Sequence, residues 1–202
     1  KIASWNINSV RIRLEHIAKV TKEQGYDVLC LQETKVVDEL FPLQPLQEMG
    51  FKHIAINGQK AYNGVAILSK IPFIKEEKYD YCSKDDKRHV KVEFANGLHL
   101  QNFYVPAGGD IADPEENPKF AHKLAFLDEM IERFSPAEKY QKTIILGDFN
   151  IAPYEHDVWS HKQLLDVVSH TPIEVERLMK LYKTQNWIDT HRKFTPLAEK
   201  LY

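Results

Sequence analysis

The sequence predicts an α/β fold in which mixed β-sheets pack face to face with helices outside, and three observations carry that expectation. Apolar runs of strand length recur along the chain, at residues 2–7, 28–31, 51–56, 65–68, 90–94, 98–105 and 143–146. Asn96-Gly97 between the fifth and sixth runs marks a hairpin, because both residues tolerate the positive φ of a type I′ turn. Amphipathic helices are interleaved with the other runs, which asks for crossover connections and parallel pairing.

The elements follow in order. After the first run, Ser9 can cap a helix whose apolar positions Val10, Leu14, Ile17, Ala18 and Thr21 share one face, and Gly25 can close it. Residues 80–88 are polar and charged, and residues 107–116 carry Gly108, Gly109 and Pro114, so both segments read as loops. Asn117-Pro118 supplies a cap and a first-turn proline, after which Phe120, Leu124, Leu127, Ile131 and Phe134 recur at helical spacing. Thr171-Pro172-Ile173-Glu174 forms a capping box that opens a helix to about Lys183. No repeat, low-complexity tract or linker interrupts this pattern, so residues 1–202 are read as a single domain.

Composition sets outer limits. The chain has 202 residues, 43% hydrophobic and 28% charged, and at this size folding buries roughly 70% of the surface an unfolded chain exposes. A core is therefore available without disulfides or structural metal. Cys30 lies inside an apolar run and Cys82 stands alone, which suits a reducing compartment and neither a disulfide framework nor a cysteine zinc site. No apolar stretch approaches the roughly 20 residues of a membrane span, and no signal peptide is visible. A cytoplasmic location, with no membrane partner, is the expectation. Net charge is -2, so bulk charge neither announces nor excludes a nucleic-acid partner.

The chemistry gathers where strands stop. The first run ends in Asn6-Ile7-Asn8, the second in Gln32-Glu33-Thr34-Lys35, and the last in Gly147-Asp148-Phe149-Asn150. In extended backbone residues i and i+2 share a face, so Asn6 pairs with Asn8 and Asp148 with Asn150. Glu33 and Asn6 would reach the same pocket from neighbouring strands. Hard oxygen donors of this kind suit a divalent metal such as magnesium, and they suit base chemistry on water. The competing reading is of solvated turn residues, which weakens when three strand ends repeat the pattern.

Trp5-Asn6-Ile7-Asn8, Leu31-Gln32-Glu33-Thr34-Lys35, Tyr104-Val105-Pro106 and Gly147-Asp148-Phe149-Asn150 resemble, in order, the signature blocks of the exonuclease III / AP endonuclease branch of the endonuclease/exonuclease/phosphatase superfamily. Residues 64–69 and 186–190 add weaker similarity, the latter as a strand leaving the last long helix. The resemblance implies a four-layer α/β sandwich, two mixed sheets face to face with outer helices. It further implies hydrolysis of phosphodiesters at abasic sites and at 3′ ends of double-stranded DNA, dependent on Mg2+ with Mn2+ as the alternative ion, by a monomer.

By the same resemblance Glu33 is the main metal ligand, joined by Asn8, Asp148 and Asn150, although Asn8 carries no charge where some relatives have an Asp. Asn6 and Asn150 would hold phosphate oxygen, Asp148 would orient or deprotonate water, and Tyr104 would hydrogen-bond the phosphate. Arg11, Arg13, Lys35 and Arg88 are candidate DNA contacts, each with a solvated surface residue as the alternative. Lys119, His122 and Lys123 form a second basic patch, read either as a phosphate contact or as an exposed helix face. Ala107 departs from the amide side chain that relatives often place after Tyr-x-Pro.

The family's chains continue past the equivalent of Tyr202 to an Asp-His pair. The expectation is accordingly a C-terminally incomplete domain, missing its last strands and impaired in turnover. Two other functions compete: a phosphatase or phosphodiesterase acting on lipid or inositol phosphates, and a non-catalytic duplex-DNA-binding fragment.

Overall fold

A computed structural model describes residues 1–136 and 142–201. The chain forms two compact units, one of residues 1–104 and 142–149, the other of residues 105–141 and 150–202.

The first unit holds two four-stranded sheets. Strands β1 (Ile2–Asn6), β2 (Val28–Gln32), β3 (His53–Asn57) and β4 (Val65–Ser69) form the first, ordered β1-β2-β4-β3, with β1 and β2 parallel and the remaining pairs antiparallel. Strands β5 (Phe73–Glu77), β6 (His89–Phe94), β7 (His99–Tyr104) and β8 (Thr143–Asp148) form the second in that order, with only β7 and β8 parallel. Both sheets are thus mixed, as predicted. Strand β5 is invisible to the apolar pattern because Lys75, Glu76 and Glu77 leave no alternation on an edge strand.

Two cores divide the side chains of the first sheet by the period-2 rule. Val28, Cys30, Val65 and Ile67 point toward the second sheet, packing with Val90, Val92, Phe94 and Leu100. Leu29, Leu31, Ala66 and Leu68 point the other way, against Ile17 of α1 (Leu14–Gln24) and Leu46 of α2 (Leu43–Glu48). This double burial is why the runs of β2 and β4 are continuous. Burial also pushes the Cys30 thiol pKa up, which leaves it a packing residue.

Local details depart from expectation in two places. Helix α1 begins at Leu14 rather than after Ser9, because residues 11–13 form a 3-10 turn and Ser9 takes φ 86°. The β6–β7 hairpin is not type I′. Only Gly97 is left-handed (φ 78°), and hydrogen bonds from Gly97 N to Phe94 O and from Phe94 N to Leu98 O close a three-residue loop.

A polar link crosses the sandwich just below the strand ends. Asn102 on β7 donates to the carbonyls of Leu31 and Ala66, both at 2.9 Å, and accepts from Gln32 Nε2 at 2.6 Å. Both side chains are buried. Replacing Asn102 by Leu strands these partners, and each buried unsatisfied group costs about 1–3 kcal/mol. We expect Asn102→Leu to lower unfolding free energy by about 2–4 kcal/mol, seen as a lower urea midpoint at unchanged slope. An unchanged midpoint would contradict the network.

In the second unit, α3 (Pro118–Phe134) packs on α5 (Pro172–Thr184), with the short α4 (His161–Leu164) between them in sequence. Asn117 caps α3 by accepting from Lys119 N, and the Thr171–Glu174 capping box opens α5. The strand expected near residues 186–190 does not form. Asp189 instead caps a short helix, α6 (Thr190–Phe194), accepting from the main-chain N–H groups of His191 and Arg192. Among the described residues no helix is long and apolar enough to cross a membrane.

Candidate active site

The parallel pairs of both sheets stop in register, Asn6 beside Gln32 and Tyr104 beside Asp148. That places the residues following four strands at one end of the first unit. Asn6 Nδ2 donates to Glu33 Oε1 and to Asp148 Oδ2, both at 2.8 Å. Residues separated by 142 positions are thereby joined by one amide. The Tyr104 hydroxyl donates to the same Glu33 Oε1 at 3.0 Å, and Lys35 Nζ lies 2.8 Å from Glu33 Oε2.

Backbone strain accompanies these contacts. Asn8, Glu33 and Lys35 all take left-handed φ, at 45°, 56° and 53°. Such conformations cost on the order of 1–3 kcal/mol each and persist where surroundings over-determine them. The surroundings here are main-chain bonds: Ser9 N and Val10 N donate to Glu33 O and Thr34 O, while Thr34 N and Lys35 N donate to Gly64 O and Asn63 O. The loops after β1 and β2 and before β4 are thus stitched together.

Electrostatics keep Glu33 ionised. Burial pushes its pKa up, but hydrogen bonds from Lys35, Asn6 and Tyr104, with the Lys35 charge, outweigh that and hold it below the usual glutamate value. Tyr104 moves the opposite way: burial and the adjacent Glu33 charge raise its pKa, so it remains a neutral donor.

The structure therefore brings together Asn6, Glu33, Lys35, Tyr104 and Asp148 of the residues named from sequence. Asn8 joins through its side-chain oxygen, which accepts from Lys35 Nζ, and through its carbonyl, which accepts from Arg13. Arg11 is exposed on the 3-10 turn. Arg88 is not a projecting side chain. It is buried, with Nε paired to Asp86, Nη1 donating to Tyr104 O at 3.2 Å, and its guanidinium 4.8 Å from the Tyr104 ring centroid. Asn150 lies in the second unit, where its Nδ2 donates to Val105 O at 2.9 Å. Lys123, placed by sequence in a basic patch read either as a phosphate contact or as an exposed helix face, is wholly buried there.

Sequence reasoning missed the supports of this site. Asn63 ties the loop before β4 to Asp86 O at 2.9 Å, and Asp86 in turn pairs with Arg88 beneath Tyr104. The available signal was Asn63-Gly64, a turn dipeptide directly before an apolar strand.

The donor chemistry fits magnesium. Two carboxylates share one amide, and magnesium usually takes one or two carboxylates while retaining water and substrate phosphate. A closed structural site does not fit, since among the described residues no three or more His, Cys, Asp and Glu side chains are placed to hold an ion.

Residues 3–195 match the sequence profile of the Endonuclease/Exonuclease/phosphatase family. Exodeoxyribonuclease III of Haemophilus influenzae is 30% identical over 164 residues, a match spanning 78% of this chain and 60% of that protein. Among solved structures, an AP endonuclease from Archaeoglobus fulgidus superposes with TM-score 0.89 at 31% identity, covering 100% of this chain and 76% of that one. A 3′ phosphatase from Neisseria bound to a product DNA hairpin gives TM-score 0.87 at 28% identity, covering 96% and 74%.

Proposed function

Since the chain belongs to the endonuclease/exonuclease/phosphatase family, we propose that it is a magnesium-dependent DNA repair nuclease of exonuclease III type, acting on abasic sites and 3′ ends of duplex DNA. The observation that carries this reading is the Asn6 amide held between the Glu33 and Asp148 carboxylates, with the Tyr104 hydroxyl on the same Glu33 oxygen. Glu33 and Asp148 would hold the ion, which supplies charge neutralisation on the phosphate oxygens when bound.

The protein's own groups do the rest. Asp148 accepts a proton from the attacking water or fixes its direction, and its bond from Asn6 sets the carboxylate plane. Tyr104, kept protonated, can turn its O–H from Glu33 to a non-bridging phosphate oxygen as charge develops there. Asn6 keeps both of its N–H groups on the two carboxylates and so fixes their spacing. Lys35 and Arg13, which meet at Asn8, bring positive charge to the rim where a DNA phosphate would lie.

A substrate panel tests the reading: an abasic duplex, a blunt duplex, a duplex with a 3′ phosphate and a phosphoinositide, each with magnesium or with EDTA. The DNA substrates should be processed only with the metal. Turnover of the phosphoinositide alone favours the lipid reading, and duplex binding without cleavage favours a binding fragment. The 3′-phosphate arm is included because a structural neighbour carries that activity in its name.

A further inference from the structure

Arg88 holds Tyr104 at three separate points, all within the first unit. Its carbonyl accepts from Tyr104 N at 2.9 Å, just outside the β6–β7 ladder. Its Nη1 donates to Tyr104 O at 3.2 Å, and its guanidinium carbon stands 4.8 Å from the Tyr104 ring centroid. The first of these is a main-chain bond open to any residue but proline, whereas the other two need the arginine side chain. Asp86 orients that side chain by pairing with Nε, and the Asp86 carbonyl accepts from Asn63 Nδ2 at 2.9 Å. Asn63 O in turn accepts from Lys35 N at 3.0 Å. A run of bonds therefore leads from Tyr104 back to the loop that carries Glu33 and Lys35.

Charge balance alone gives little reason for an arginine here. Buried ion pairs are poor sources of stability, because desolvating two charges offsets their attraction, and a lysine would neutralise Asp86 as well. What a lysine lacks is the planar fork, which bonds Asp86 and Tyr104 O from different nitrogens while lying against an aromatic face. The consequence falls on the Tyr104 hydroxyl, which donates to Glu33 Oε1 at 3.0 Å. With main chain and ring both held, the O–H can turn about its C–O bond toward a phosphate oxygen while the ring stays in place, so little reorganisation accompanies the developing charge.

We propose that Arg88 is a positioning residue for Tyr104, fixing the ring whose hydroxyl meets the phosphate, and that it makes no contact with DNA itself. The inference rests on the reading above, in which Tyr104 donates to the phosphate. A group misplaced by about 1 Å costs roughly a hundredfold in rate.

The test is Arg88→Lys, Tyr104→Phe and the double variant, assayed on abasic and 3′-ended duplex at several salt concentrations. Arg88→Lys should lower kcat by roughly ten- to a hundredfold and leave KM and its salt dependence unchanged. In the Tyr104→Phe background the same substitution should lower kcat by less than about twofold, because the hydroxyl it positions is gone. An equal fall in both backgrounds overturns the proposal, as does parental kcat in Arg88→Lys. A raised KM with a shallower salt dependence also overturns it, since that is the signature of a lost phosphate contact. Should Arg88→Lys not fold, proton NMR of the unmodified chain decides. Arg88 guanidinium protons moved upfield by the Tyr104 ring and slow to exchange with water support the proposal, and unshifted protons exchanging at the rate of an exposed arginine overturn it. Because those signals need no substrate, absence of cleavage by the unmodified chain sinks the functional reading alone.

Discussion

Glu33→Gln should abolish measurable DNA cleavage at saturating magnesium while leaving the fold intact. The substitution keeps size and one oxygen acceptor but removes the charge on which Asn6, Tyr104 and Lys35 converge. Lewis-acid stabilisation of a phosphoryl centre is worth several kcal/mol, and each ~1.36 kcal/mol is tenfold in rate. A loss on the order of a thousandfold in kcat/KM is therefore expected. Titration calorimetry with manganese gives an independent readout, in which the variant should bind more weakly. Wild-type metal affinity in the variant would remove Glu33 from the ion's ligands.

The same variant changes the acid stability profile. Folding lowers the Glu33 pKa, because the hydrogen bonds and the Lys35 charge outweigh burial. A group depressed in the folded state contributes stability that is present above its unfolded value, about 4.3, and is lost as pH falls through the lower folded value. Glu33→Gln should flatten that part of a curve of melting temperature against pH. An acid limb identical in parent and variant would show that Glu33 carries none of this linkage.

The strand ends were legible because their chemistry is local. Ile2 to Trp5, Val28 to Leu31 and Thr143 to Leu146 are apolar and stop at polar residues, and the parallel register that aligns Asn6 with Gln32 and Tyr104 with Asp148 follows from crossovers the helical periodicity announces. Burial of polar side chains was not legible, since it depends on partners distant in sequence. Asn102 finds the carbonyls of Leu31 and Ala66, 71 and 36 positions away. Lys123 finds a glutamate in another helix, and nothing in Lys119-Phe120-Ala121-His122-Lys123 separates the exposed lysine from the buried one. Arg88 likewise becomes a support for Tyr104 only because β6 and β7 pair.

Gly147→Ala is the substitution in which local and distant constraints meet, and it should unfold the site or the protein. Gly147 sits on β8 opposite Phe103 of β7 with φ 134°, and a Cβ there would lie 1.9 Å from Phe103 O and 2.8 Å from its C and N atoms. These are backbone atoms, so no rotamer change relieves the clash. Either the strands separate or the peptide before Asp148 turns, and both displace the register pair Tyr104–Asp148. Strain plus broken ladder bonds should cost about 3–5 kcal/mol, at the upper end for single substitutions. Gly97→Ala separates this clash from glycine's backbone freedom, since Gly97 is also left-handed (φ 78°) but a Cβ added to it would meet nothing within 4 Å. It should cost only about 1–2 kcal/mol. Chemical denaturation of both variants compares them directly, and equal losses would mean that Phe103 does not press on Gly147. The glycine ahead of Asp148 is thus there for steric reasons: only a residue without a side chain lets β8 approach β7 closely enough to hold Asp148 beside Tyr104, within reach of the amide of Asn6.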